Sequence, residues 1–133
     1  MSDYTVVKAD EAFDLMKDYE GFGQLLMYTP TLESHQTALS WRRMPPDTGG
    51  RGSYGHRHTA QEELYLVLKG TLTFKLDDDV FEAGPGTAVR IAPEVVRSVH
   101  NDTGEDVQLI MCSPRLDDQE GEVAKVDDFW PRD

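Results

Sequence analysis

The sequence predicts an all-β chain in which short antiparallel strands form a sandwich or a barrel. Three observations predict it. Short segments with strand alternation recur from Gln24 to Ser113. Turn-forming clusters separate them, among them Pro45-Pro46-Asp47-Thr48-Gly49-Gly50, Asp77-Asp78-Asp79, Gly84-Pro85-Gly86 and Asn101-Asp102-Thr103-Gly104. The link Lys69-Gly70-Thr71 is too tight for a parallel crossover and implies an antiparallel turn. Many short strands with regular turns close on themselves or on a second sheet.

An amphipathic pattern opens the chain over residues 9–19. Phe13, Met16 and Tyr19 share a face at helical spacing, Asp10 stands at the cap, and Gly21 and Gly23 stop it, so a short N-terminal helix is expected. Strands are expected over 24–28, 36–44, 55–58, 63–69, 71–76, 80–82, 87–92, 96–101 and 107–113. On the second of these, Trp41 is in phase with Leu39 and Thr37 and reads as core or pocket wall. Arg42 and Arg43 have opposite parity, so only one can face a pocket. On 63–69, Glu63, Tyr65 and Val67 share one face, and Leu64, Leu66 and Leu68 share the other, as in a strand buried on both sides. Residues 116–133 form an acidic tail without a strand pattern, which Phe129 and Trp130 can pin to the body.

No repeat or linker interrupts the chain, so residues 1–133 read as one domain. A hydrophobic content of 38% suffices for one core. The net charge of −12 disfavours nucleic acid and anionic membranes as partners, and otherwise serves solubility. Cys112 is the single cysteine, which excludes an intrachain disulfide, and its apolar surroundings suggest a buried, inert thiol. Met1-Ser2-Asp3-Tyr4 lacks the pattern of a secretory leader, and no apolar run has membrane-spanning length, so a cytoplasmic protein is expected.

The chemistry concentrates in residues 56–63. His56 and His58 are two apart on an expected strand and point to the same side, and Glu63 follows four residues after the next position. Two imidazoles and a carboxylate can hold one face of a divalent metal and leave the other open. Fe, Mn, Ni, Zn and Cu all suit such a site. The spacing Gly50-x5-His56-x-His58-x4-Glu63-x6-Gly70 resembles the first motif of the cupins at every fixed position. Glu62 competes with Glu63 for the ligand role, but Glu63 keeps the distance to Gly70. The resemblance covers about residues 36–113. It implies a small antiparallel jelly-roll barrel with the metal inside, and a homodimer.

The second cupin motif supplies one more histidine, followed four residues later by asparagine. Anchoring on Gly86 and Asn101 places Arg97 at that histidine, whereas anchoring on Pro93 places Ser98 there with Asp102 after it. Two anchors against one favour Arg97. His100 is the nearest replacement ligand: it faces away from the site in the Arg97 register and into it in the Ser98 register, and a bulge would interconvert the two. An inward Arg97 either pairs with Glu63, in competition with the metal, or clamps a carboxylate or phosphate. An outward Arg97 pairs at the surface.

Two functions follow. In the first, His56, His58 and Glu63 hold a metal and the chain acts on a small molecule as a dioxygenase or isomerase, with Tyr65 or His100 assisting proton transfer. In the second, the barrel binds a small, anionic molecule without metal or turnover. Arg97 supplies the charge and Trp41 and Tyr65 the walls. A bond from Arg97 to Glu63 favours this second reading. A purely structural dimer leaves the in-phase histidines without a role. Tyr54 is placed to line a barrel mouth, His35 to sit in an exposed turn, and Asp77-Asp78-Asp79 to form a solvated hairpin turn.

Overall fold

The computed structural model of the chain describes residues 3–117 and 119–133. Among the described residues, twelve strands carry the fold: β1 (Phe13–Asp14), β2 (Gln24–Met27), β3 (Thr37–Met44), β4 (Thr48–Gly49), β5 (Ser53–His58), β6 (Glu63–Lys69), β7 (Leu72–Leu76), β8 (Asp79–Ala83), β9 (Ala88–Ile91), β10 (Arg97–Asn101), β11 (Val107–Pro114) and β12 (Val123–Trp130). A single helical turn, α1 (Thr29–Leu32), follows β2. All pairings are antiparallel. The first sheet runs β1-β2-β3-β11-β6-β9, and the second β12-β5-β10-β7-β8 with β4 also on β10. This is the expected jelly-roll arrangement.

From β3 onward the chain crosses repeatedly between the sheets: β5 lies in the second, β6 in the first, β7 and β8 in the second, β9 in the first, β10 in the second. The Lys69-Gly70-Thr71 link is therefore a corner rather than a hairpin, because β6 and β7 belong to different sheets. Gly70 makes the corner at φ +77°, where a side chain is strained and a Cβ would strike the Asp106 carbonyl oxygen. Between the sheets lies the core, built on Met44, Tyr65, Val67, Leu72, Phe74, Ile91, Val107 and Leu109.

Most expected strands appear within a residue or two of their predicted limits. The N-terminal helix does not. Residues 9–11 form a 3-10 turn, Phe13 enters β1 opposite Met27, and Tyr19 is exposed. The 13/16/19 spacing covers no partner that would bury a helix face, and short helices need one. The tail differs in the opposite direction: residues 123–130 form β12 against β5, and Trp130 is 3% exposed. Leu64 and Leu68, expected to be buried, are 47% and 45% exposed on the outside of the first sheet. Cys112 is only half-buried, on that same outer face. Among the described residues, no helix is long and apolar enough to cross a membrane.

Candidate functional site

Strand β5 presents His56 and His58 on one face, toward the interior, with ring centroids 5.2 Å apart and the rings edge to face. Glu63 opens β6 in the facing sheet. Its Oε1 lies 3.4 Å from His58 Nε2 and 3.8 Å from His56 Nε2. One ligand atom from each of the three lies within 4.8 Å of the others. Donors about 2.1 Å from one cation and about 90–110° apart stand about 3.0–3.5 Å from each other, so only slight closure is needed to hold an ion. Glu62 turns outward to Arg90, at 3.2 Å.

A residue absent from the sequence expectations sets the tautomer of His58. Glu122, immediately before β12 and 5% exposed, accepts N–H bonds from Thr59, Ala60 and Gln61 at 3.1, 3.1 and 2.9 Å. Burial alone would raise its pKa, but these backbone donors outweigh it and hold the carboxylate below its ordinary value. An ionised Glu122 only accepts, so His58 Nδ1, 3.2 Å away, donates to it. The lone pair is then on Nε2, which is buried and has no hydrogen-bond partner among the described residues. Burial also lowers the His58 pKa, against the pull of Glu63, and keeps the ring neutral. A neutral imidazole, fixed by a carboxylate and offering an orphaned nitrogen toward Glu63 and His56, fits a metal.

Arg97 sits directly across from His56 between β10 and β5, so the Arg97 register is the one adopted and Ser98 does not take that place. The guanidinium is 1% exposed. It donates from Nη1 to Glu63 Oε1 at 2.7 Å and from Nη2 to the carbonyls of Ala92, Pro93 and Val95 at 2.8, 2.8 and 2.9 Å. Burial would raise the Glu63 pKa; His56 and Arg97 together outweigh it and keep Glu63 below its ordinary value. Tyr65 is buried beside Glu63, and burial pushes its hydroxyl far above the ordinary range, so it keeps its proton at neutral pH.

Two expected pocket residues lie elsewhere. His100 is buried with opposite parity to Arg97: Nε2 meets Asp47 at 2.9 Å, Nδ1 accepts the Arg51 N–H at 3.2 Å, and the ring packs edge-on against Trp130. Trp41 lies in the outer row Leu26, Trp41, Ile110, Leu66, since paired residues share a face. The arginine that faces inward on β3 is Arg42. A cavity of about 310 Å³ is lined by Arg42, Tyr54, His56, Tyr65 and Arg97, and a second of about 460 Å³ reaches Glu63 from the side of Met27, Ser40 and Met111.

The Cupin domain family matches residues 42–113. An uncharacterized protein, MJ1618, of Methanocaldococcus jannaschii is 29% identical over 58 residues, 44% of this chain. The chain thus spans 46% of that curated relative's length. Among solved structures, a cupin protein from Bacteroides fragilis is 19% identical over 91% of this chain and 92% of its own, with a TM-score of 0.69. The polyketide cyclase RemF from Streptomyces resistomycificus is 17% identical over 94% and 85%, with a TM-score of 0.70. A cupin-superfamily sugar phosphate isomerase from Silicibacter pomeroyi is 14% identical over 93% of each chain, with a TM-score of 0.68. At these identities the likeness is one of fold. The matched segment begins on β3, ends on β11 and takes in His56, His58, Glu63 and Arg97 with the glycine at the Gly70 corner; this chain belongs to the cupin domain family.

Proposed function

We propose that the barrel binds a divalent metal through His56, His58 and Glu63 and uses it on a small molecule held in the adjoining cavity. The orphaned Nε2 of His58, fixed by Glu122, carries this reading. Two imidazoles and a carboxylate suit Fe, Mn, Ni, Zn or Cu, which when bound supply a Lewis acid or a redox centre. Glu63 stands between the guanidinium of Arg97 and the imidazoles, so the two positive charges do not meet directly. Arg97 also draws charge from Glu63 and makes it a weaker ligand. Tyr65 keeps its proton and can donate it toward a bound molecule. A dioxygenase and an isomerase both fit this equipment. That two structural relatives are a polyketide cyclase and a sugar phosphate isomerase supports a small-molecule role and not a particular reaction.

The Arg97–Glu63 bond favours a second reading, a metal-free pocket. Against the version in which Arg97 itself clamps a ligand, its guanidinium is already committed to Glu63 and three carbonyls. Elemental analysis of untagged protein, beside a His56→Ala/His58→Ala variant, separates the readings. Stoichiometric metal that disappears in the variant supports the first. No metal after anaerobic loading with Fe(II), Mn(II) and Zn(II) leaves the second.

The outer face of the first sheet supports a homodimer. Leu64 is exposed there, and the partly buried Leu39, Trp41, Ile110 and Leu66 share its face over the central strands. We propose that a second copy of the chain covers it.

A further inference from the structure

We propose that Arg42 is the anion-binding end of the barrel cavity and that the molecule taken up there carries a carboxylate. This names a ligand class for the pocket described above and rests on that pocket, but not on the metal.

Strand β3 points Arg42 inward, between Leu25 on β2 and Leu109 on β11. The side chain projects into the 310 Å³ cavity. Its Nε is buried and makes no hydrogen bond, and among the described residues no carboxylate pairs with it. The contrast with the other arginines nearby is sharp. Arg43, one residue on, bonds Asp106 at 3.2 Å and Gln24 at 3.3 Å, and Arg97 is fully engaged. In a chain with 25 acidic and 13 basic residues, partners for a cation are plentiful, yet Arg42 pairs with none of those among the described residues. A guanidinium with a desolvated, unpaired nitrogen costs stability, which is the signature of a group held for a ligand.

The charge of the cavity gives the same sign. Arg42 and Arg97 against Glu63 leave one excess positive charge (two minus one). A bound divalent ion would raise that excess to three, so either form of the pocket selects an anion. The planar guanidinium fork matches a carboxylate in a bidentate pair. Leu15, Met16, Leu25 and Val99 supply the remaining apolar walls, which suit an organic acid with an apolar body better than a heavily hydrated phosphate. The volume is near the lower end of about 300–1,000 Å³ for ligand pockets, so the acid is small.

The test is an amide-resolved NMR titration of the full chain with benzoate, its neutral counterpart benzamide, and inorganic phosphate. It is run on the wild type, Arg42→Met and Arg42→Lys, on protein as purified and after chelation, with melting temperatures for each. Benzoate should shift amides of β3 and β6 in the wild type and Arg42→Lys. Its affinity should fall at least about tenfold in Arg42→Met, and benzamide and phosphate should bind the wild type at least about tenfold more weakly. Arg42→Met should melt no lower than the wild type. Any of four results overturns the proposal: no benzoate shift in the wild type up to its solubility limit; equal benzoate binding in Arg42→Met; phosphate binding more tightly than benzoate; or a lowered melting temperature in Arg42→Met, which would make the arginine structural. Benzoate binding lost on chelation would place the anion on the metal and also overturn it. Benzoate binding in protein that never takes up metal would leave this proposal standing while the metal reading fell.

Discussion

At the scale of single residues, the site is held by carboxylates doing different work. Glu63 faces the imidazoles, whereas Glu122 faces away from them and fixes one. Removing the charge of Glu122 should release the His58 tautomer and loosen the 59–61 loop. Glu122→Gln is expected to weaken metal binding about 10–100-fold, as losses of such outer partners do; titration with a chromophoric competitor measures it, and unchanged affinity would leave Glu122 a loop brace only. The Arg97 register was favoured in the sequence by Gly86 and Asn101, whereas the direction of its side chain was left open. Asn101 is itself needed there: its amide donates to the carbonyls of Met44, Pro45 and Glu105, and its Oδ1 accepts from Thr103. Glu122 was not legible, because 64 residues separate it from His58 and nothing near it in the chain marks the pairing. Arg42 was legible as one of a pair, but which of the two faced inward depended on the strand register.

At the scale of elements, β12 shows how an acidic tail can conceal a strand. Its residues pair with β5 up to Val126 and resume at Trp130 after an irregularity, where Asp128 takes φ 54°. Alternation broken at that point carries no clean period-two signal. The strand nonetheless packs tightly. A Cβ at Gly55 would lie 2.5 Å from the Phe129 ring and 2.9 Å from the Arg97 carbonyl oxygen. Gly55→Ala should therefore cost about 1–3 kcal/mol in urea unfolding; a neutral result would mean that Phe129 moves aside freely. The end of β12 is secured by two charged clamps. Arg51 forks onto Asp102 at 2.7 and 2.8 Å beneath the Trp130 ring, and Asp47 takes His100 and Arg132. His100 and Arg132 hold Asp47, and Arg51 holds Asp102, below the ordinary value of 3.8. A depressed carboxylate contributes fully above its unfolded pKa and loses that contribution as pH falls through the folded one. Trp130 emission, read in a Trp41→Phe background, should thus stay constant from neutral pH to about pH 4 and shift to the red only below it. A shift beginning near pH 6 would point to another group.

At the scale of the whole molecule, an antiparallel sandwich or barrel was legible because turn clusters punctuate the chain at the right intervals, and the jelly roll was implied by the resemblance of the 50–70 motif to the cupins. The inside was legible because alternation on β6 and the two-residue spacing on β5 assign faces directly. The outside was not. Leu64, Leu66 and Leu68 look like core in the sequence, yet in a single chain Leu64 and Leu68 are about half exposed. The proposed second copy would resolve the discrepancy, since an apolar stripe covered by a partner has the same composition as one covered by a sheet. Light scattering should give twice the chain mass for the wild type, and a single chain's mass for Leu64→Glu/Leu68→Glu with an unchanged circular dichroism spectrum. A wild-type monomer would sink the dimer.

The repeated crossing between sheets has a kinetic consequence. His56, His58 and Glu63 lie within eight residues of chain but in two different sheets, and Glu122, which fixes His58, is 64 residues away, so the full donor arrangement waits on sheet closure. Folding that waits on distant pairings is slow, and an ion recognised only by the finished barrel cannot hasten it. It would act on the reverse step. Metal added to refolding chains should leave the folding rate unaltered and slow unfolding instead, so that the ion functions as a latch on a door already shut.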